Sequence, residues 1–174
     1  MVKLRALWSL YVIGAAGGDF LRAQLRHSDE HVRVWAIRLL SDAWPLDTIT
    51  SGRPANIAEN NQTIVALATT LNEFVRLAKA DDSALVRLAL ATVLQRLPVS
   101  QRADLAAPLL AHAEDAADHN LPLILWYGLI PLGDAAPAML AKLAGGCQLP
   151  LTRRLMACRL GEYLEKNPAP QMTC

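Results

Sequence analysis

The chain has 174 residues, the length of one ordinary domain, and 53% of them are apolar. Aromatic residues make up only 5%, and β-branched residues form no alternating runs, so an all-β or parallel-sheet fold is excluded. The 17 basic and 16 acidic side chains give a net charge of +1, and no window has the concentrated basic character of a nucleic-acid binder.

Helical periodicity begins at the N-terminus. An amphipathic helix is predicted at residues 4–12, followed by the helix stop Gly14 and the Gly17-Gly18 pair. The spacing of the apolar residues in this segment, which include Trp8 and Tyr11, fits an amphipathic helix better than a signal peptide. A short second helix is predicted at residues 20–26.

A repeated pattern marks the next helices. Asp29 and Ser83 each stand three positions before a Val-Arg pair, which ends in Arg33 in the first copy and Arg87 in the second. A short polar side chain there predicts an N-cap that accepts the backbone N–H of the Val. Behind each pair, apolar residues recur at the spacing i, i+4, i+7 and i+8, which is one buried helical face. The two predicted faces are Val32, Ala36, Leu39 and Leu40, and Val86, Leu90, Val93 and Leu94.

Further helical segments bring the total to about nine, in alternating pairs. A degenerate copy of the repeat has Pro122 in place of the arginine, and another begins at Thr152-Arg153. A helix is predicted at 64–79, and its buried face is Ile64, Leu67, Ala68, Leu71, Val75 and Ala78. Another helix is predicted at 101–112, capped by Ser100 and kinked at Pro108. A third is predicted at 134–144, where Gly145-Gly146 ends it.

Two segments lack an apolar period. Residues 45–62 contain prolines, glycine and asparagine, which predict a long loop. A tolerated surface insertion is favoured there over a loop with a functional role. Residues 167–174 are typical of a tail or linker. The helical array is expected to span residues 1–166 and, because its first helix has no partner on its outer side, to be part of a larger polypeptide.

Candidate chemical sites are few. His27 and His31 are four residues apart, but a surface turn is favoured there over a metal site. Residues 112–119 include several acidic and histidine side chains, but a solvated loop is favoured over a calcium site. Cys158 falls in an apolar helical pattern and is expected to be a core residue. The apolar run 121–132 is too short to cross a bilayer and predicts a helix packed between its neighbours. Residues 61–63 match the three-residue glycosylation pattern, a weak signal.

Recurring large side chains leave two interpretations open. Arg5, Arg33, Arg87 and Arg153 stand at equivalent places, where they could join neighbouring repeats or form a basic stripe for an acidic partner. Trp8, Trp35 and Trp126 lie early in the corresponding helices. Burial in the seams between repeats is favoured over a role as exposed docking anchors.

The two best copies, residues 28–33 and 81–87, resemble HEAT repeats, whose second helix begins with a polar cap and a Val-Arg pair. The resemblance implies an all-α, armadillo-like α-solenoid of four to five helical hairpins. In that family an Asp five positions before the Val pairs with the Arg in a ladder between repeats. Asp81 matches that position, whereas His27 does not.

Residues 5–10, 29–36 and 121–128 are similar to the HEAT segment of large exported proteins from planctomycetes. Those proteins join a sugar-dehydrogenase-like propeller, a HEAT array and a c-type cytochrome domain. The resemblance implies a middle module in an exported or periplasmic protein of bacterial origin. The chain lacks the haem-attachment motif C-x-x-C-H, so no cofactor residue carries over.

The expected function is therefore that of a non-catalytic scaffold without cofactors, which binds another protein or the adjoining domains of its own polypeptide. No nucleic-acid partner and no membrane insertion are expected. The alternatives are electron transfer through flanking domains only and a HEAT-like enzyme, either a bilin lyase or a DNA glycosylase. The neutral charge balance argues against the glycosylase.

Overall fold

The computed structural model describes residues 2–47 and 61–167, with the backbone alone for residues 61–66. The predicted insertion at 45–62 therefore lies largely outside the described residues, as do the side chains of the glycosylation pattern, Cys174 and residues 168–174 of the predicted tail. No β-strand occurs within the described ranges, and the all-α prediction is confirmed. The α-helices are α1 (Val2–Val12), α2 (Gly18–Gln24), α3 (Glu30–Ser41), α4 (Asn61–Ala80), α5 (Ala84–Val93), α6 (Arg102–Leu110), α7 (Leu121–Leu129), α8 (Leu132–Ala135), α9 (Pro137–Gly146) and α10 (Pro150–Lys166).

The helices pack in two rows. In the first row α1 contacts α3, α3 contacts α5, α5 contacts α7, and α7 contacts α10. In the second row the successive contacts join α2, α4, α6 and α9. Neighbours in sequence connect the rows, because α2 packs on α3, α4 on α5, α6 on α7, and α9 on α10. Each amphipathic helix thus covers its apolar face with a helix of its own pair and with helices of the next pair.

The core follows this arrangement. One large apolar cluster extends from Leu25 to Met156, and a smaller one lies under α1 around Leu7 and Val32. The predicted face of α5 is confirmed, since Val86, Leu90, Val93 and Leu94 are all buried. On α3, Val32 and Ala36 are buried, whereas Leu39 and Leu40 are half-buried.

The predicted face of α4 is only partly right. Leu71 and Ala78 are buried, but Ala68 is exposed. Phe74, which the predicted face leaves out, is fully buried and lies against Trp44 with ring centroids 6.0 Å apart. The buried stripe is therefore rotated towards Phe74 and Leu77, because this large ring fills the space between α4 and the segment that follows α3.

Several helix ends differ from the prediction. A 3₁₀ turn, Val99–Gln101, precedes α6, and Ser100 caps nothing there. The predicted helix at 134–144 is split at Ala136 (φ −154°, ψ 64°), because a residue that precedes proline disfavours the helical conformation. Gly14 has a φ of +75° and ends α1 as predicted, whereas Gly17 is the N-cap of α2.

The cysteine prediction is wrong. Cys158 is exposed on α10, and Cys147, at the end of α9, is the buried thiol. Cys147 is part of the large apolar cluster, and its burial raises the pKa of the thiol. The helix α10 buries a different side, which contains Thr152 and Met156.

Candidate functional site

The predicted repeat arginine of α3 joins two helical pairs. Its guanidinium donates from Nε to Asp81 Oδ2 at 2.7 Å and from Nη2 to Asp81 Oδ1 at 2.9 Å. Nη1 of Arg33 donates to the carbonyl of His27, six residues earlier, at 2.9 Å. The carboxylate of Asp81 is nearly buried, so this is a two-point contact shielded from water.

Arg87 repeats this geometry one pair further along the chain. It donates from Nε and Nη2 to the two carboxylate oxygens of Asp115, each at 2.6 Å, and from Nη1 to the carbonyl of Asp81 at 2.9 Å. Here too the carbonyl belongs to the residue six positions earlier. The hydrogen bond with Asp115 helps to raise the pKa of Arg87. We call each two-point Arg–Asp contact a rung.

Because His27 does not match the family position, the sequence leaves the carboxylate partner of Arg33 open. The structure shows that each arginine takes its carboxylate from the next copy, so that Asp81 serves Arg33 and Asp115 serves Arg87. His27 contributes its backbone carbonyl, and its ring accepts the N–H of Asp29.

The predicted caps are both present. Ser83 accepts the N–H of Val86 at 3.3 Å, as expected. Asp29 accepts the N–H of His31 at 2.9 Å, one residue earlier than predicted. The hydroxyl of Ser83 also donates to the carboxylate of Glu30, which links the first turns of α3 and α5.

Arg5 and Arg153 do not form rungs. Both side chains are exposed, and neither forms an ion pair with any residue in the described ranges. In α10 the contact to the neighbouring pair comes instead from Thr152, which is fully buried and donates to the carbonyl of Pro122 at 2.9 Å. The interpretation of these four arginines as equivalent rungs is therefore wrong at both ends of the chain.

The prediction of a solvated loop at 112–119 also needs correction. Residues Ala113–Ala117 form a 3₁₀ helix, and Asp115 is only 3% exposed. His112 lies between the carbonyl of Ala78, at 2.8 Å from Nε2, and the carboxylate of Glu114, at 2.7 Å from Nδ1. Within the described part of the chain, no three His, Cys, Asp or Glu side chains are grouped as metal ligands.

The largest fully buried side chain in the described part of the molecule belongs to an arginine, and the sequence did not predict its burial. Arg102 is fully buried at the start of α6 and donates to the carbonyls of Leu97 (3.1 Å) and Gly128 (2.8 Å) and to the carboxylate of Asp47. It thereby connects α6, α7 and the segment after α3. In the sequence Arg102 is one charged residue among several, and no local pattern distinguishes it.

The first row of helices also carries an open groove of about 640 Å³. We call it the α3–α5 groove. Trp35 forms one wall, braced edge-on by Trp8 with ring centroids 4.8 Å apart, and Arg38 stacks over Trp35 at 5.2 Å. The predicted burial of the three tryptophans is only partly right, since Trp8 is 37% exposed and Trp35 and Trp126 are half-buried. The residues that line the groove include Trp35, Arg38, Leu39, Asp42, Arg96 and Ile124.

The polar groups of the groove are held by neighbouring atoms. Arg96 donates from Nη1 to the carbonyls of Trp44 at 2.7 Å and Asp42 at 3.2 Å. The hydroxyl of Tyr11 donates to the carboxylate of Asp42 at 3.4 Å. Partial burial and the charge of Asp42 raise the pKa of Tyr11. This arrangement can bind a polar or anionic group beside an apolar surface.

None of the described helices is both long and apolar enough to span a bilayer. Comparison of the chain with protein-family models, with curated proteins and with solved structures finds no match.

Proposed function

We propose that this chain is a HEAT-like α-solenoid of four to five helical pairs, and that it acts as a non-catalytic scaffold for another protein or for adjoining domains. The observation that carries the proposal is the repeated rung. Arg33 and Arg87 use the same nitrogen atoms on the same kinds of acceptor, and each connects its own helical pair to the next.

The packing order supports the same interpretation. In a solenoid each repeat buries its apolar face only against its neighbours, which produces two rows of helices and a long exposed surface. The contacts of α1, α3, α5, α7 and α10 follow this order, as do those of α2, α4, α6 and α9. The buried side chains of Arg87 and Asp115 bind each other, and Arg102 binds backbone carbonyls and the carboxylate of Asp47. These contacts are a structural use of the charged groups.

Photo-crosslinking in cells that naturally produce the protein tests the scaffold. A photoreactive amino acid is placed at Leu85 or Tyr127 in the first row and at Lys79 or Met139 in the second row. All four positions are exposed. We expect covalent adducts of defined mass from one row and none from the other, because a scaffold presents one face to its partner.

Adducts from both rows in equal yield, or from neither, would contradict the proposal. So would stoichiometric binding of a bilin or of damaged DNA by the purified chain, since either result favours the enzymatic alternatives.

A further inference from the structure

We propose that the α3–α5 groove binds an acidic segment of a partner protein. In this assignment, carboxylates of the segment meet the guanidinium groups of Arg38 and Arg96, and an apolar side chain of the segment lies against Trp35, Leu39 or Ile124. The inference rests on the proposed scaffold function and names the chemistry of its partner.

Arg38 is the first anchor. Its guanidinium stacks over the Trp35 ring at 5.2 Å, and Trp8 supports that ring from the side. Arg38 is exposed and forms no ion pair with any residue that the structure describes. A stacked guanidinium keeps its in-plane N–H donors free and loses little further freedom when a carboxylate binds. Arg38 is therefore oriented for two-point contact with an acid.

Arg96 is the second anchor. Its Nη1 donates to the carbonyls of Asp42 and Trp44, and these contacts fix the position of the side chain without neutralising its charge. No carboxylate within the described residues lies within ion-pair distance of this guanidinium. Half-buried and held in place, Arg96 retains a full positive charge at the groove wall.

The charge of the groove selects the partner. Two arginines face it with one carboxylate, that of Asp42, which gives a local charge of +1. Opposite charge on a bound segment would complement this excess. The apolar wall and the volume of about 640 Å³ suit a few side chains of a peptide, since ligand pockets span about 300–1,000 Å³. A nucleic acid requires a longer basic track than two arginines.

Peptide selection on the full chain tests this assignment. Random dodecapeptides displayed on phage are selected on the immobilised protein, and enriched peptides are resynthesised with every Asp and Glu replaced by Asn and Gln. We expect enriched peptides to carry an acidic residue next to an aliphatic or aromatic one. The amide versions should bind at least about tenfold more weakly, because a charge-assisted contact is lost.

Variants of the groove locate the binding. Arg38→Gln and Arg96→Gln should each weaken binding of the acidic peptides about tenfold, and Arg38→Lys should give an intermediate affinity, because it keeps the charge without the planar stack. The matched control is Arg154→Gln, an exposed arginine on α10 outside the groove, for which the affinity should not change. Circular dichroism of each variant confirms an unchanged helical content.

The groove assignment is overturned if the enriched peptides lack acidic residues. It is also overturned if the peptides bind Arg38→Gln and Arg96→Gln as tightly as the unsubstituted chain. In that case the crosslinking pattern still decides the scaffold proposal independently. Failure of the selection to enrich any peptide, together with the absence of crosslinks, removes both proposals.

Discussion

At the scale of single residues, Arg87 and Asp115 illustrate how this protein accommodates charge in its interior. Both side chains are 3% exposed, and their two N–H···O contacts of 2.6 Å satisfy both oxygens of the carboxylate. Taking either charge out of water is costly, and the partner compensates this cost only while it is present. The pair therefore makes the contact between α5 and the 3₁₀ helix before α7 sensitive to the loss of one member.

Replacing Asp115 by Ala should lower the free energy of unfolding by about 3 kcal/mol, the lower end for a broken buried pair. The buried Arg87 then keeps only the exposed carboxylate of Glu114, 3.6 Å from Nη2, as an ion-pair partner. Urea denaturation followed by circular dichroism measures the change. The control is Asp104→Ala, an exposed carboxylate without an ion pair to any described residue, which should change stability by less than about 0.5 kcal/mol. The double variant Arg87→Met with Asp115→Leu should recover most of the loss, because neither charge remains buried.

Asp118 offers a second test at this scale. Its carboxylate accepts the N–H groups of Leu121 at 2.7 Å and Asn120 at 2.8 Å, at the beginning of α7. These backbone donors lower the pKa of Asp118 below its ordinary value of 3.8. We expect Asp118→Ala to cost about 1 kcal/mol near neutral pH, as the loss of a helix cap does.

The sign of the pH dependence follows from this direction. A lowered folded-state pKa means that the stabilisation is present above pH 3.8 and is lost as the pH falls through the folded-state pKa. The difference in unfolding free energy between the unsubstituted chain and Asp118→Ala should therefore shrink in acid. The control is Asp118→Asn, whose side chain keeps an acceptor oxygen but does not titrate. A difference between the unsubstituted chain and Asp118→Ala that does not change with pH would contradict this account.

At the scale of secondary-structure elements, α5 and α7 approach each other closely at Gly128. A Cβ atom added to this glycine would lie 2.5 Å from the Cβ of Leu94. The carbonyl of Gly128 also accepts a hydrogen bond from the buried Arg102. The absence of a side chain at this position thus fixes both the spacing of two first-row helices and the access of Arg102 to α7.

Substitution of Gly128 by Ala should destabilise the protein by about 1–3 kcal/mol, as overpacking in a core does. Gly161→Ala is the matched control, because Gly161 is exposed on α10 and a Cβ atom there meets nothing within 4 Å. That substitution should stabilise the chain by about 0.5–1 kcal/mol through the helical preference of alanine. Thermal melts of the two variants should shift in opposite directions, and equal shifts would rule out the close approach.

At the scale of the whole molecule, stability is distributed along the chain. The large apolar cluster runs without a break from Leu25 on the α2 side to Met156 on α10, and the rungs of Arg33 and Arg87 lie beside it. In the proposed solenoid, each helical pair depends on its neighbours for burial. A disruption in a central seam is therefore expected to affect pairs on both sides.

Leu90→Asp tests this dependence. Leu90 is fully buried in α5, and an unpaired carboxylate at this place costs on the order of several kcal/mol. We expect loss of helical content well beyond α5 in circular dichroism and loss of a cooperative melt. Leu85→Asp on the same helix is the control, because Leu85 is 37% exposed and should tolerate the charge. Survival of the melt in Leu90→Asp would show that the buried face is wrongly assigned.

The sequence by itself determined the features that depend on neighbours along the chain. Helical periodicity predicted the all-α class and the buried face of α5, because a helix presents residues three and four apart on one side. The short polar side chains of Asp29 and Ser83 predicted the caps, because such a side chain accepts a backbone N–H of the first helical turn. Partners separated by long stretches of chain were decided only by the tertiary structure. Asp115 was expected in a solvated loop and lies buried against Arg87, while Arg102 reaches Asp47, 55 residues away. Such pairings depend on how the two rows of helices align, and no local spacing encodes that alignment.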